Sequence, residues 1–221
     1  QDQLILELLK AKPDTVVVMT AGSPVEMGAW LSRAKALVWD WYAGMEGGKA
    51  LAEVLFGKVN PSGRLPESFP FSHMDCPAHC IGEFPGGKTV AYREGIFVGY
   101  RYYETRQVPV AFPFGYGLSY TEFTYERLKA RVKGNGNGAK VQVTLGVVNT
   151  GAMKGKEVVQ LYVGRKNPGE DRPIRELKAF DKISLKPGEI KILEFMLDME
   201  AFSYYDEKEK EFRVEKGAYI I

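Results

Sequence analysis

The periodicity of the sequence changes near residue 120, so one sheet architecture cannot serve the whole chain. Between residues 2 and 12, Leu4, Ile5, Leu8 and Leu9 share one helical face, and Pro13 stops that helix before the β-branched run Thr15, Val16, Val17 and Val18. The turn Ala21-Gly22-Ser23-Pro24 leads to a short predicted helix from Glu26 to Ser32, then to a second apolar strand from Ala36 to Trp41. The Gly-rich turn Gly44 to Gly48 opens an amphipathic helix with Ala50, Leu51, Val54, Leu55 and Phe56 on one side, and Gly57 ends it. Strands alternating with helices in this way imply a mostly parallel sheet.

From Asn60 to about Tyr120 the period fades into a stretch rich in Pro, Gly and aromatic residues, too long for a plain linker. We read it as an ordered, partly extended strap that packs through Tyr100, Tyr102, Tyr103, Phe112, Phe114 and Tyr116. Beyond it, residues alternate: Val141, Val143, Leu145 and Val147; Val159, Leu161 and Val163; Ile183 and Leu185; Ile190, Ile192 and Phe195. Asn149-Thr150-Gly151 and Lys186-Pro187-Gly188-Glu189 make turns between such runs. This spacing without a helix signal describes an antiparallel β-sandwich. The predicted organisation is α/β followed by all-β: an α/β part over 1–80, a connecting segment over 81–120 and a β-sandwich over 121–221.

Thirty Lys and Arg against 28 Asp and Glu leave a net charge of +2 with no basic block, which argues against nucleic acid or an anionic membrane as partner. No apolar run approaches the ~20 residues of a spanning helix, so a soluble protein is expected, cytoplasmic or secreted. The chain opens on Gln1 and closes on the apolar run Ala218 to Ile221, and both ends read as cut from something longer.

Chemistry-bearing residues are few. Cys76 and Cys80 stand with His73 and His79, the chain's two histidines, inside one short segment. Two thiols and two imidazoles match a tetrahedral zinc set in number but not in spacing, so free thiols are expected, with neither metal nor disulfide. The Gly44–Gly48 turn lacks both the Gly-Lys-Ser/Thr and the Gly-x-Gly-x-x-Gly patterns of phosphate loops. It reads as a tight strand-to-helix turn in which Glu46 caps the helix rather than facing a cleft. Glycoside chemistry needs two carboxylates roughly 5 to 10 Å apart. Glu26, Asp40, Glu46, Glu67, Glu83 and Glu94 are candidates, but no spacing sets one against another. No Gly-x-Ser-x-Gly elbow or Ser-His-Asp triad appears either. The aromatic stretch from Tyr92 to Tyr120 can stack on sugars, though packing glue is the preferred reading.

Five ordered blocks carry a resemblance. Val16-Val-Val-Met-Thr-Ala-Gly-Ser-Pro-Val-Glu, Trp41-Tyr-Ala-Gly-Met-Glu-Gly-Gly and Asn60-Pro-Ser-Gly-Arg-Leu-Pro are followed by Tyr92-Arg-Glu-Gly-Ile-Phe-Val-Gly-Tyr-Arg-Tyr-Tyr-Glu and Phe112-Pro-Phe-Gly-Tyr-Gly-Leu-Ser-Tyr. Together they resemble the end of the α/β-sandwich domain of family 3 glycoside hydrolases. Val148-Asn-Thr-Gly, Lys156-Glu-Val-Val-Gln-Leu-Tyr-Val and Glu176-Leu-Lys-Ala-Phe resemble the fibronectin type III-like domain that ends many of these enzymes. The resemblance implies the C-terminal portion of a retaining, exo-acting β-glycosidase, with β-glucosidase the expected member. Its Asp nucleophile sits on a barrel and its Glu acid/base on a loop before Gln1, so no catalytic, substrate-binding or cofactor residue carries over to this chain. The implied partners are the upstream barrel and remaining α/β segment, on the same or a separate chain, with a β-glycoside or oligosaccharide as substrate. The sandwich loops are expected to wall the leaving-group side. Self-association into homo-oligomers stays open. The competing reading is a non-catalytic carbohydrate- or protein-binding module.

Overall fold

The computed structural model describes residues 1–82, 84–168 and 172–221. They form two compact units: residues 1–59 with 65–116, and residues 60–64 with 117–221.

The first unit opens with helix α1 (Asp2–Ala11), which ends where Lys12 turns extended ahead of Pro13. Strands β1 (Val16–Met19) and β2 (Ala36–Trp39) pair in parallel, with Val17 opposite Leu37. Helix α2 (Gly47–Leu55) follows, and Gly57 takes the left-handed conformation (φ +72°) that closes it. Strand β3 (Phe69–Pro70) pairs antiparallel with β4 (Val110–Phe112). Two short helices, α3 (Pro77–Cys80) and α4 (Tyr100–Thr105), stand within the stretch read from sequence as a strap. Leu9, Val17, Met27, Trp30 and Phe69 form the core.

Two helical expectations change here. The segment from Glu26 to Ser32 is not a helix but turns leading into one 3-10 turn at Leu31–Arg33, which follows from Pro24 and Gly28 interrupting so short a run. Its apolar residues still serve the core, since Met27 and Trp30 are its plugs. The stripe on α1 is split: Leu9 is buried and Ile5 half-buried, whereas Leu4 and Leu8 face solvent.

The second unit is a sandwich. One sheet has the order β5-β6-β9, from Phe123–Lys133, Lys140–Asn149 and Ile190–Leu197. The other has the order β12-β7-β8, from Tyr219–Ile220, Gly155–Arg165 and Glu176–Leu185. A hairpin of β10 (Ser203–Asp206) and β11 (Glu211–Val214) stands beside them. All these pairings are antiparallel. Val141, Val143, Leu145 and Val147 on β6 meet Val159, Leu161, Val163, Ile183 and Leu185 from the opposite sheet, as their alternation requires. On β9 the expected face is wrong for two residues. Leu193 and Leu197 point inward, while Ile190 and Ile192 are 46% and 57% exposed, because the inward set counts back from Leu197 in steps of two.

Two polar features hold the sandwich. Asn149, expected only as a turn residue, is fully buried. Its carbonyl oxygen accepts from Thr121 Oγ1 (2.7 Å) and Gly151 N–H (3.1 Å), and its amide donates to the Met153 (2.8 Å) and Leu185 (3.1 Å) carbonyls. Every hydrogen-bonding direction of the amide is used. Glu157 on β7 pairs with Arg64, their side chains 11% and 12% exposed, and accepts from Tyr125 Oη at 2.9 Å. Gly155 must lack a side chain, since a Cβ there would stand 2.6 Å from Thr121 Cγ2.

Candidate functional site

In open α/β sheets ligands gather at the carboxyl ends of parallel strands, and here those ends carry the loop from Asp40 to Glu46. Asp40 N–H donates to the Met19 carbonyl (2.9 Å), which prolongs the β1–β2 register by one bond before the chain turns. Trp41 takes a positive φ of 51°, an uncommon conformation for a bulky residue, and Gly44 follows at 72°. The turn throws Tyr42 outward, 78% exposed, with its ring laid against Gly22; a Cβ at Gly22 would fall 2.6 Å from Tyr42 Cε2. Met45 is 99% exposed beside it, whereas Gly47 is buried against Ala43. The loop therefore presents one aromatic face and one thioether on a backbone that passes through left-handed geometry at Trp41 and Gly44. Glu46 occupies the N-cap position of α2, but its side chain makes no capping bond, contrary to the sequence expectation.

The most strongly tied of the candidate carboxylates is Glu26. Its Oε1 accepts from His73 N–H (2.8 Å) and Ser72 Oγ (3.0 Å) and lies 2.6 Å from His73 Nδ1. The His73 backbone donor, then its ring and the Ser72 hydroxyl, hold the Glu26 carboxyl down at about 2. Sequence reading missed this link because it spans 47 residues. The Ser72-x-x-Asp75 spacing was its legible half: Ser72 Oγ accepts from Met74 N–H while Asp75 accepts from Ser72 N–H, a capping box. A carboxyl depressed on folding contributes stability above its ordinary value of 4.5, and that contribution is lost as pH falls through about 2. Acid unfolding of the first unit, followed by tryptophan fluorescence, should therefore steepen over this window, and Glu26→Gln should flatten it. Equal slopes for the two proteins would show that Glu26 carries none of the acid response.

Of the other candidates, burial raises the Glu67 carboxyl above its ordinary value, Glu94 is half-buried in a turn closed by Phe97 N–H on its carbonyl, and Glu83 lies outside the described residues. Cys76 and Cys80 are free thiols. They meet tyrosines: Tyr103 Oη donates to Cys76 Sγ (3.4 Å), and Cys80 Sγ lies 3.0 Å from Tyr102 Oη. Among the described residues no group of three or more His, Cys, Asp and Glu is placed to hold a metal ion. The strap aromatics pack on one another and on the core of their own unit. Tyr100 stacks on Phe114 (4.8 Å between centroids), Phe112 lies 5.2 Å from Tyr116, and Phe112 meets Phe69 edge-on at 6.3 Å.

Residues 1–120 match the model of the glycosyl hydrolase family 3 C-terminal domain. This chain belongs to glycosyl hydrolase family 3. Residues 157–221 of the family 3 chain also match the fibronectin type III-like domain. It is 44% identical over its whole length to a thermostable beta-glucosidase B of Acetivibrio thermocellus, and 42% identical over 99% of its length to a beta-glucosidase of Bacteroides ovatus. It spans only 29% and 30% of those two proteins. Among solved structures, the Kluyveromyces marxianus beta-glucosidase in complex with glucose superposes with a TM-score of 0.91 at 44% identity, covering 99% of this chain and 26% of that one. A family 3 beta-glucosidase from Bifidobacterium adolescentis gives 0.91 at 40%, covering 99% and 32%.

Proposed function

We propose that this family 3 chain is the C-terminal portion of a retaining, exo-acting β-glucosidase, whose nucleophile and acid/base lie outside it. One observation carries the reading: the chain aligns end to end with proteins named beta-glucosidases yet spans under a third of each. Its own carboxylates support this division of labour. Glu26 is spent on an intramolecular clamp, and Glu46 and Asp40 sit singly on one turn. In a retaining mechanism one carboxylate attacks the anomeric carbon while a second protonates the leaving oxygen, and water then releases the glycosyl-enzyme. The chemistry needs no cofactor, and terminal β-linked glucose is the expected substrate.

The first unit supports a partner for itself. Its parallel sheet has two strands among the described residues, where sheets average 5–6. Leu4 and Leu8 on α1, Val16 on β1, and Leu55 and Phe56 at the end of α2 are exposed. The remaining strands of the α/β domain, contributed by an upstream segment, are the natural cover. No helix of the described residues is long and apolar enough to cross a membrane.

The test is p-nitrophenol release from its β-glucoside by the 221-residue chain alone and by the full-length protein. The chain alone should stay at the buffer rate and the full-length protein should turn over, with β-glucose as the first-formed anomer. Turnover by the chain alone would place the catalytic pair among its own carboxylates and overturn the proposal; inactivity of both would favour a binding module.

A further inference from the structure

Cys76 and Cys80 occupy one turn of the first unit. Cys80 N–H donates to the Cys76 carbonyl at 3.0 Å, so the two residues close a helical turn. Residues four apart across such a turn have Cα atoms about 6 Å apart, while the Cβ of Cys76, at the non-helical N-cap, is not held by helical geometry. The Cα spacing lies within the roughly 4.4–6.8 Å range of disulfides, while the Cβ atoms must close to about 3.5–4.5 Å. That tightening falls on α3, which is four residues long, with Cys76 at its N-cap already in extended geometry. Cys80 is exposed and Cys76 half-buried. In the reduced form each thiol is bonded to a neighbouring tyrosine of α4, Tyr103 being buried in the unit.

We propose that Cys76 and Cys80 form a redox modification site, a dithiol that a small-molecule disulfide of the glutathione class converts reversibly to an intrachain disulfide. The exposed Cys80 attacks first as thiolate. It forms a bond to one sulfur of the oxidant and expels the other as a thiolate, which takes up the proton lost from Cys80. Cys76 then attacks the Cys80 sulfur, forming the intrachain bond and releasing the second oxidant thiol, which takes the Cys76 proton. Two protein thiols are oxidised and one disulfide is reduced to two thiols. Because Tyr102 and Tyr103 follow one another on α4, the same event removes both thiol contacts of that helix and loosens it from the 72–82 segment.

The geometry makes the assay direct. Trypsin cuts after Arg64 and Lys88 and leaves both cysteines in one peptide with no internal Lys or Arg. The full-length protein is incubated with oxidised glutathione, alkylated and digested. The peptide should lose two hydrogens in mass and both alkylation sites, and excess dithiothreitol should restore them. Cys76→Ser should instead trap a glutathione adduct on Cys80. Before complete digestion, oxidation should speed tryptic cleavage after Arg101 in α4 and Arg106 at its C-cap about thirtyfold, the change in local opening expected from two lost hydrogen bonds. A stable glutathione adduct in the unmutated protein, a disulfide between two chains, or two thiols that survive the oxidant would each overturn the site. Unchanged cleavage after disulfide formation would overturn its coupling to α4.

Discussion

Glu157→Ala will destabilise the sandwich by about 3–5 kcal/mol, the cost of stranding a buried charge by removing its partner. The carboxylate neutralises Arg64 and accepts the Tyr125 hydroxyl. Burial, with the negative Glu157 beside it, pushes the Tyr125 phenol up, so it stays protonated and keeps donating. Alanine leaves the buried Arg64 charge without its partner, while the half-exposed Tyr125 hydroxyl can turn to water. The three tryptophans, Trp30, Trp39 and Trp41, all belong to the first unit, so the loss should appear in amide exchange on β6 and β7 while tryptophan fluorescence in urea hardly moves. Replacing the pair together, Arg64→Met with Glu157→Leu, should recover most of the loss, because a buried ion pair contributes little beyond an apolar pair of similar volume. If the single variant costs under about 1 kcal/mol, the ordinary effect of a point change, then water must reach the pair and the argument fails.

Trp30→Ala should be as damaging to the first unit. The ring is 1% exposed, surrounded by Leu9, Val17, Met27 and Phe69, and its Nε1 donates to Asp2 at 3.0 Å. Truncating a buried Trp to Ala costs about 3–5 kcal/mol, a large share of the about 5–15 kcal/mol that holds an ordinary domain. Urea unfolding followed through Trp39 and Trp41 should show the midpoint fall, with Trp30→Phe losing less. An unchanged midpoint would mean that this core is not what keeps the unit folded.

The sandwich was legible where its two faces differ in chemistry. Val141 to Val147 alternate with polar residues, so the inward set could be named. On β9 both faces are aliphatic, and nothing in the sequence separates outward Ile190 and Ile192 from inward Leu193 and Leu197. Strand β5 was hidden for the opposite reason. As the edge of its sheet it carries Lys129, Arg131 and Lys133, charges that suit an edge and hide a strand. In the first unit, propensity placed α1 and α2 but overcalled Glu26–Ser32, where packing of Met27 and Trp30 decides the path. The site was less legible than the fold. The Glu26 clamp and the thiol–tyrosine contacts join residues 22 to 47 positions apart, and local patterns carry no information at that range. The resemblance could name the family while leaving catalytic residues unassigned, since the implied nucleophile and acid/base lie outside these 221 residues.

The grouping of Asn60–Arg64 with the sandwich has a consequence for biosynthesis. The chain leaves the first unit at residue 59, returns at 65 and leaves again at 116, so neither unit is one uninterrupted stretch of translation product. Arg64 is made 93 residues before Glu157. At ~5–20 residues per second, its guanidinium waits about 5–20 s for its partner, and Asn60 waits as long for the Lys154 carbonyl. Until the ribosome has delivered β7, the Arg64 guanidinium and the Asn60 amide nitrogen lack these partners, although Asn60 Oδ1 can already accept from Ser119 and Tyr120.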